Sequence, residues 1–258
     1  MSSGPSLKVV LFLGTVRENR VGLRVAKFMK AQLETTNHVV DFFAQGRCCF
    51  RCRQLHHFAR CCLTQLCPAV RAQQSRSHPA EEQQQGDLHQ RSTGSQASAS
   101  TNPMDLPFEM LHKPVFHYGS DRQGAPGWLV EAEKKVKGAD AFVIVSGEYN
   151  HSIPPALTNM MDHFGGSCYG YKPSGIVCYS PGIYGGMRAA MQLRSFLGEL
   201  GCLSVSNIFG IPKVGEALNE DGQPLNSHME SGARKLIQQL DWYAWAMKKQ
   251  RETEGIPK

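Results

Sequence analysis

Apolar residues fall into two alternating rhythms along this chain. Val9-Val10-Leu11-Phe12-Leu13 is an unbroken apolar run closed by Gly14, the pattern of a strand buried on both faces. After a loop, Val21, Val25, Phe28, Met29 and Leu33 recur at helical spacing, which predicts an amphipathic helix. His38 to Phe43 is a second β-branched and aromatic run. Order then stops, and resumes at Met104-Asp105-Leu106-Pro107. Pro126 and Gly127 precede a helix from Trp128 to Lys137 with cations in its last turn, where the helix dipole favours them. Ala141-Phe142-Val143-Ile144-Val145 reads as another buried strand. Ser152 is placed to cap a helix with Pro154 in its first turn, running to about His163. Gly175 to Tyr179 is a strand, Met187 to Leu200 a helix stopped by Gly201, and Leu203 to Ile211 the last strand. Met229, Ala233, Leu236, Ile237, Leu240, Ala244 and Met247 stripe a closing helix.

Five apolar strands alternating with five helices predict an α/β fold, one domain with a parallel sheet covered on both faces. In such sheets a ligand lies beyond the carboxyl ends of the strands, where strand order reverses. The loops after the first, third and fourth strands therefore carry the candidate chemistry.

The chain has 258 residues, a formal charge of +6 and nine cysteines. These totals invite a nucleic-acid binder or a metal or disulfide framework, until they are located. Residues 44–102 hold six of the cysteines and seven arginines against three acids, so +4 of the charge lies there. The other 199 residues are nearly balanced, with scattered Cys168, Cys178 and Cys202, as in a reduced intracellular protein. Val9–Leu13 is too short for a secretory apolar segment, and no run approaches a membrane span. A cytoplasmic protein without a membrane or nucleic-acid partner is expected.

The first loop, Gly14-Thr15-Val16-Arg17-Glu18-Asn19-Arg20-Val21-Gly22, offers a hydroxyl, two guanidinium groups and the amides of a helix N-terminus. These suit a dianionic phosphate. An exposed cationic turn would have the same composition. The loop is neither a P-loop nor a GxGxxG fingerprint. The second, Ser146-Gly147-Glu148-Tyr149-Asn150-His151-Ser152, offers backbone groups and a tyrosine to a flat heterocycle, or is a plain turn feeding a helix cap. The third, Ser180-Pro181-Gly182-Ile183-Tyr184-Gly185-Gly186, has three glycines that allow close backbone approach, or simply a flexible turn. His151, Asp162 and His163 form an acid–base set only if the fold gathers them, and Cys178 and Cys202 read as core thiols.

Taken in order, GTVRENR, GEYNHSIPPALTNMMDH and SPGIYGGMRAAMQLRSFLGELG resemble the NADPH-dependent FMN reductase family, which includes flavodoxin-like quinone reductases and azoreductases. The resemblance runs over nearly all of Leu7 to Met247 outside the 44–102 segment. It implies a flavodoxin-like doubly wound sheet in the order 2-1-3-4-5. It further implies bound FMN, NADPH as co-substrate, a small-molecule electron acceptor of quinone, azo or flavin type, and a homodimer. By the same resemblance Thr15, Arg17 and Arg20 hold the FMN phosphate. Gly147, Glu148, Tyr149 and Asn150 lie along the isoalloxazine ring, and Ser180, Gly182 and Gly185 bracket its pyrimidine end. No side chain is nominated as catalytic acid or base, because the cofactor carries the hydride chemistry. Two positions depart from the family pattern: Gly147 stands where Pro is usual, and Gly22 where many members have Asn. A non-enzymatic FMN-binding carrier or sensor, or an isoform disabled by its insertion, remains as the alternative.

Similar proteins join the second strand to the Met104–Pro107 region by a short link, so 44–102 reads as an insertion after strand 2. The domain then comprises 1–43 and 103–250, with 251–258 a flexible tail. Cys49-x-x-Cys52 with His56, His57, Cys61, Cys62 and Cys67 has zinc-ligand chemistry but irregular spacing. Seven arginines suit phosphate but lack a recognisable module. Low apolar content in the second half predicts disorder, and the aperiodic Cys/Arg/Gln/Ser composition resembles translated intron-like sequence.

Overall fold

A computed structural model describes residues 6–17, 19–45, 104–106 and 108–257; the zinc, arginine-arm and disorder readings of the insertion lie outside them. Six parallel strands form the sheet: β1 (Lys8–Leu13), β2 (Val39–Gln45), β3 (Met104–Leu106), β4 (Ala141–Gly147), β5 (Pro173–Tyr179) and β6 (Leu203–Ile211), in the order β3-β2-β1-β4-β5-β6. The five expected strands thus lie in the expected order, 2-1-3-4-5. The sixth, β3, pairs Met104 with Phe43 and Leu106 with Gln45. Three residues are too few to show an alternating pattern, and β3 means that β2 is flanked on both sides at its carboxyl end. β2 itself continues to Gln45 with Ala44 buried, two residues past the boundary read from the sequence.

The apolar runs of β1 and β4 are explained by two cores, one on each face of the sheet. Val9, Leu11 and Leu13 of β1 and Val143 and Val145 of β4 pack with α1 (Gly22–Thr35) and the long final helix. Val10, Phe12, Phe142 and Ile144 point into the opposite core. That core is built with α2 (Gly127–Gly138), α3 (Pro155–Asp162), α4 (Gly166–Tyr169) and α5 (Met187–Glu199). Successive strand residues alternate faces, so burial of both faces leaves no polar position in the run. Phe12 sits at the centre of the second core, its ring centroid 5.5 Å from Phe43, 6.2 Å from Phe142 and 6.3 Å from Tyr169.

A short α6 (Val214–Ala217) follows β6, and α7 (Ser227–Thr253) closes the chain. α7 runs three residues into the stretch expected to be a tail. Arg251 donates to the Tyr171 carbonyl at 2.7 Å and lies 3.6 Å from Asp140, which ties that end to the sheet. Ser152 does not cap α3. The helix starts at Pro155 with Pro154 before it, and the Ser152 hydroxyl instead donates to Gln192 Oε1 at 2.8 Å. Gly201 ends α5 in the left-handed conformation at φ 78°, as its position predicts.

Candidate functional site

β1, β4 and β5 end almost level. Gly147 is the register partner of Tyr179, and the Gly14 amide donates to the Val145 carbonyl at 2.9 Å. The three expected loops therefore leave one edge of the sheet side by side, at the carboxyl ends of adjacent strands. Thr15 and Tyr149 are brought together, their hydroxyl oxygens 2.7 Å apart, and the Tyr179 hydroxyl reaches the same place, since a Cβ built on Gly22 would lie 2.1 Å from it and 2.7 Å from Thr15 Cγ2. Hydroxyls from three strand ends thus gather at one place.

In the first loop the Arg17 guanidinium lies over the Tyr149 ring, 3.8 Å from its centroid, in cation–π contact. Arg20 donates to the Thr15 carbonyl at 2.8 Å and the Gln45 carbonyl at 3.2 Å, which fastens the loop to the end of β2. α1 then begins with no side chain capping it and no acid in its first turn. Its positive end, beside two guanidinium groups and a cluster of hydroxyls, is receptive to an anion.

In the second loop Asn150 and His151 both adopt positive φ, 51° and 62°. Tyr149 and Ser152 exchange backbone hydrogen bonds around them at 2.9 and 3.0 Å, giving a tight turn of the kind that needs two left-handed residues. Gln192 of α5 pins this turn by donating to the His151 carbonyl at 3.0 Å. Asn150 is exposed at its tip. The Glu148 carboxylate is turned onto the start of α5. It accepts from the Arg188 amide at 3.0 Å, the Arg188 Nε at 2.8 Å and the Ala189 amide at 3.3 Å. Burial pushes the carboxyl up, but the helix amides and the Arg188 guanidinium outweigh it and hold the group below the usual glutamate range.

The third loop leans on the end of β6. The Ser180 hydroxyl donates to the Gly182 carbonyl at 3.0 Å, which also accepts from the Lys213 amide. Gly185 and Gly186 have φ 60° and 78°, and a Cβ on Gly186 would lie 3.0 Å from both the nitrogen and the oxygen of Tyr179. Gly182, by contrast, faces open space. Ile183, Tyr184, Met187 and Met191 are exposed beside this loop.

Two residues absent from the sequence reading belong here. Tyr179 was read as one apolar member of a strand; a hydroxyl-bearing aromatic at the last strand position before a Gly-rich loop was the available signal. Arg188 is a cation in the first turn of a helix, which the dipole disfavours, and this implies a carboxylate partner such as Glu148. His151, Asp162 and His163 are not gathered. The His163 Nδ1 is 2.7 Å from the Asn159 carbonyl, and its ring packs on Phe108, while His151 sits in the exposed turn. Cys168, Cys178 and Cys202 are buried free thiols. Among the described residues no three His, Cys, Asp or Glu are grouped to hold a metal, and no helix is long and apolar enough to cross a membrane.

A family model for NADPH-dependent FMN reductase matches residues 92–216. The chain is 30% identical over 154 residues to the NADH:(hydroxy)cinnamate reductase subunit CrdA of Vibrio ruber, covering 52% of this chain and 76% of that one. It is 30% identical over 88 residues to a quinone reductase of Pseudomonas putida, of whose length it spans 47%. In three dimensions it is similar to FerB, a flavoenzyme NAD(P)H:(acceptor) oxidoreductase from Paracoccus denitrificans. The TM-score is 0.54 at 17% identity, over 94% of this chain and 98% of that one, a likeness of fold.

Proposed function

The chain belongs to the NADPH-dependent FMN reductase family and is an NAD(P)H-dependent oxidoreductase with FMN as its flavin; from that premise we propose how its own residues serve the reaction and which acceptor they serve. The donor set fits FMN. An uncapped helix N-terminus, Arg17, Arg20 and the Thr15 hydroxyl suit a phosphate dianion. The Gly182 backbone faces open space where a flat ring system has room to approach. FMN, when bound, accepts hydride from the reduced nicotinamide and passes electrons on to the acceptor. Arg17 and Arg20 bind the phosphate, and Arg17 leaves the Tyr149 ring to do so. Tyr149 and the Asn150 turn flank the ring, and Ser180, Gly182 and Gly185 bracket its far end. Glu148 acts at one remove, by fixing α5 and with it the third loop.

The proposed acceptor is a quinone, the substrate class carried by the names of the Pseudomonas putida relatives. The exposed Ile183, Tyr184, Met187 and Met191 are the surface by which we propose two copies associate beside the site. The observation that carries the reading is the convergence of three hydroxyls, two arginines and a bare helix N-terminus at the ends of β1, β4 and β5. The purified full chain, loaded with FMN and mixed anaerobically with NADPH, should lose its flavin absorbance, and a quinone should restore it. Bleaching without reoxidation by quinone refutes the acceptor class. The same assay on a chain lacking residues 44–102 reads the effect of the insertion, and the solution mass gives the association state.

A further inference from the structure

Both glycines that depart from the family pattern meet the same side chain. A Cβ on Gly22 would lie 2.1 Å from the Tyr179 hydroxyl oxygen and 2.8 Å from its Cζ, well inside contact distance. A Cβ on Gly147 would lie 3.2 Å from that oxygen and 3.3 Å from Cζ. The Tyr179 phenol therefore fills the space that a side chain at position 22 would need, and it presses against position 147. Its hydroxyl emerges at the first turn of α1, where a residue-22 side chain would have been.

That hydroxyl also has a proton to give. The Thr15 and Tyr149 hydroxyls are bonded to each other, and the Tyr179 hydroxyl lies beside them at the first turn of α1. Its O–H is a donor available to an acceptor placed there. Burial pushes the Tyr179 phenol above its ordinary pKa, so it stays a donor at any physiological pH.

We propose that Tyr179 is a further FMN-binding residue, its hydroxyl taking at the phosphate end the place of the missing side chain at position 22. Gly22, by carrying no side chain, makes room for that hydroxyl. The proposal rests on the first loop being the phosphate site, and the test separates the two ideas.

Flavin-free full chain is titrated with FMN and, separately, with riboflavin, which lacks the phosphate; flavin fluorescence quenching gives each affinity. Tyr179→Phe keeps the packing and removes the hydroxyl. It should weaken FMN about tenfold, the scale of one hydrogen bond to a charged group, and leave riboflavin unchanged. Gly22→Asn with Tyr179→Ala should recover the preference for FMN that Tyr179→Ala alone loses. A Tyr179→Phe chain with the wild-type ratio of affinities, or with both affinities lowered alike, overturns the proposal, as does a double variant no better than Tyr179→Ala. Arg17→Ala is the reference. If it erodes the preference for FMN and Tyr179→Phe does not, Tyr179 alone is wrong; if neither does, the phosphate-site reading falls with it.

Discussion

Glu148 offers the sharpest test of how the site is held, because one carboxylate supports a whole helix start. α5 begins at a left-handed Gly186 with no side-chain cap of its own. Glu148, its side chain only 6% exposed, supplies the missing acceptor from the neighbouring strand end. In Glu148→Gln the amide oxygen still reaches one helix N–H, but the charge is gone. A capping contact contributes about 1 kcal/mol, and a carboxylate on a partly buried helix N-terminus about 1 kcal/mol more. The ion pair itself adds little, since Arg188 is 41% exposed and solvent screens it. The expected loss is about 2 kcal/mol at pH 7, a fall in Tm of about 5 °C for a domain of this size.

The pH dependence is the discriminating part. The folded-state pKa is depressed, so the contribution is fully present above the unfolded glutamate pKa and is lost as pH falls through the folded one. Urea unfolding of the flavin-free chain, followed by tryptophan fluorescence from pH 7 to pH 3.5, should show the gap between wild type and Glu148→Gln closing below about pH 4. A gap that is absent at pH 7, or that persists undiminished into acid, refutes the assignment of charge at the helix start.

Other expectations follow from single contacts. Phe12→Ala empties the centre of the aromatic cluster with Phe43, Phe142 and Tyr169 and should cost about 4 kcal/mol by denaturant unfolding. Gly186→Ala puts a Cβ 3.0 Å from the Tyr179 backbone at φ 78°; a loss of about 3 kcal/mol is expected, and a neutral result would mean the loop can shift. Lys172 is buried and donates to the carbonyls of Val136, Lys137 and Cys168 at 3.2, 2.7 and 2.7 Å, closing the ends of α2 and α4. Lys172→Met strands those three acceptors and should cost about 3 kcal/mol, read as a lowered urea midpoint with the m-value unchanged.

Fold class was legible in the chain because each buried strand is an apolar run and each helix a periodic one, and these patterns are local; strand order came only with the resemblance of the loop motifs to a known family. The residues of the three loops were legible too, since a strand followed by a Gly- or Asn-rich turn announces itself. What those side chains touch was not. Glu148 and Tyr149 are adjacent in sequence, yet the carboxylate goes to α5 and the hydroxyl to Thr15, because consecutive residues at a strand end point in different directions. The short β3 was invisible because its evidence is a pairing with β2 across the insertion.

The sequence by itself determined that strands and helices alternate, which faces are buried, and where the chemically distinctive loops lie, since all of these depend on spacing over a few residues. Only the tertiary structure decided that Gly22 and Gly147 answer to Tyr179. Positions 22, 147 and 179 are remote along the chain, and they become one steric problem only when β1, β4 and β5 end side by side and a single phenol has to fit between them.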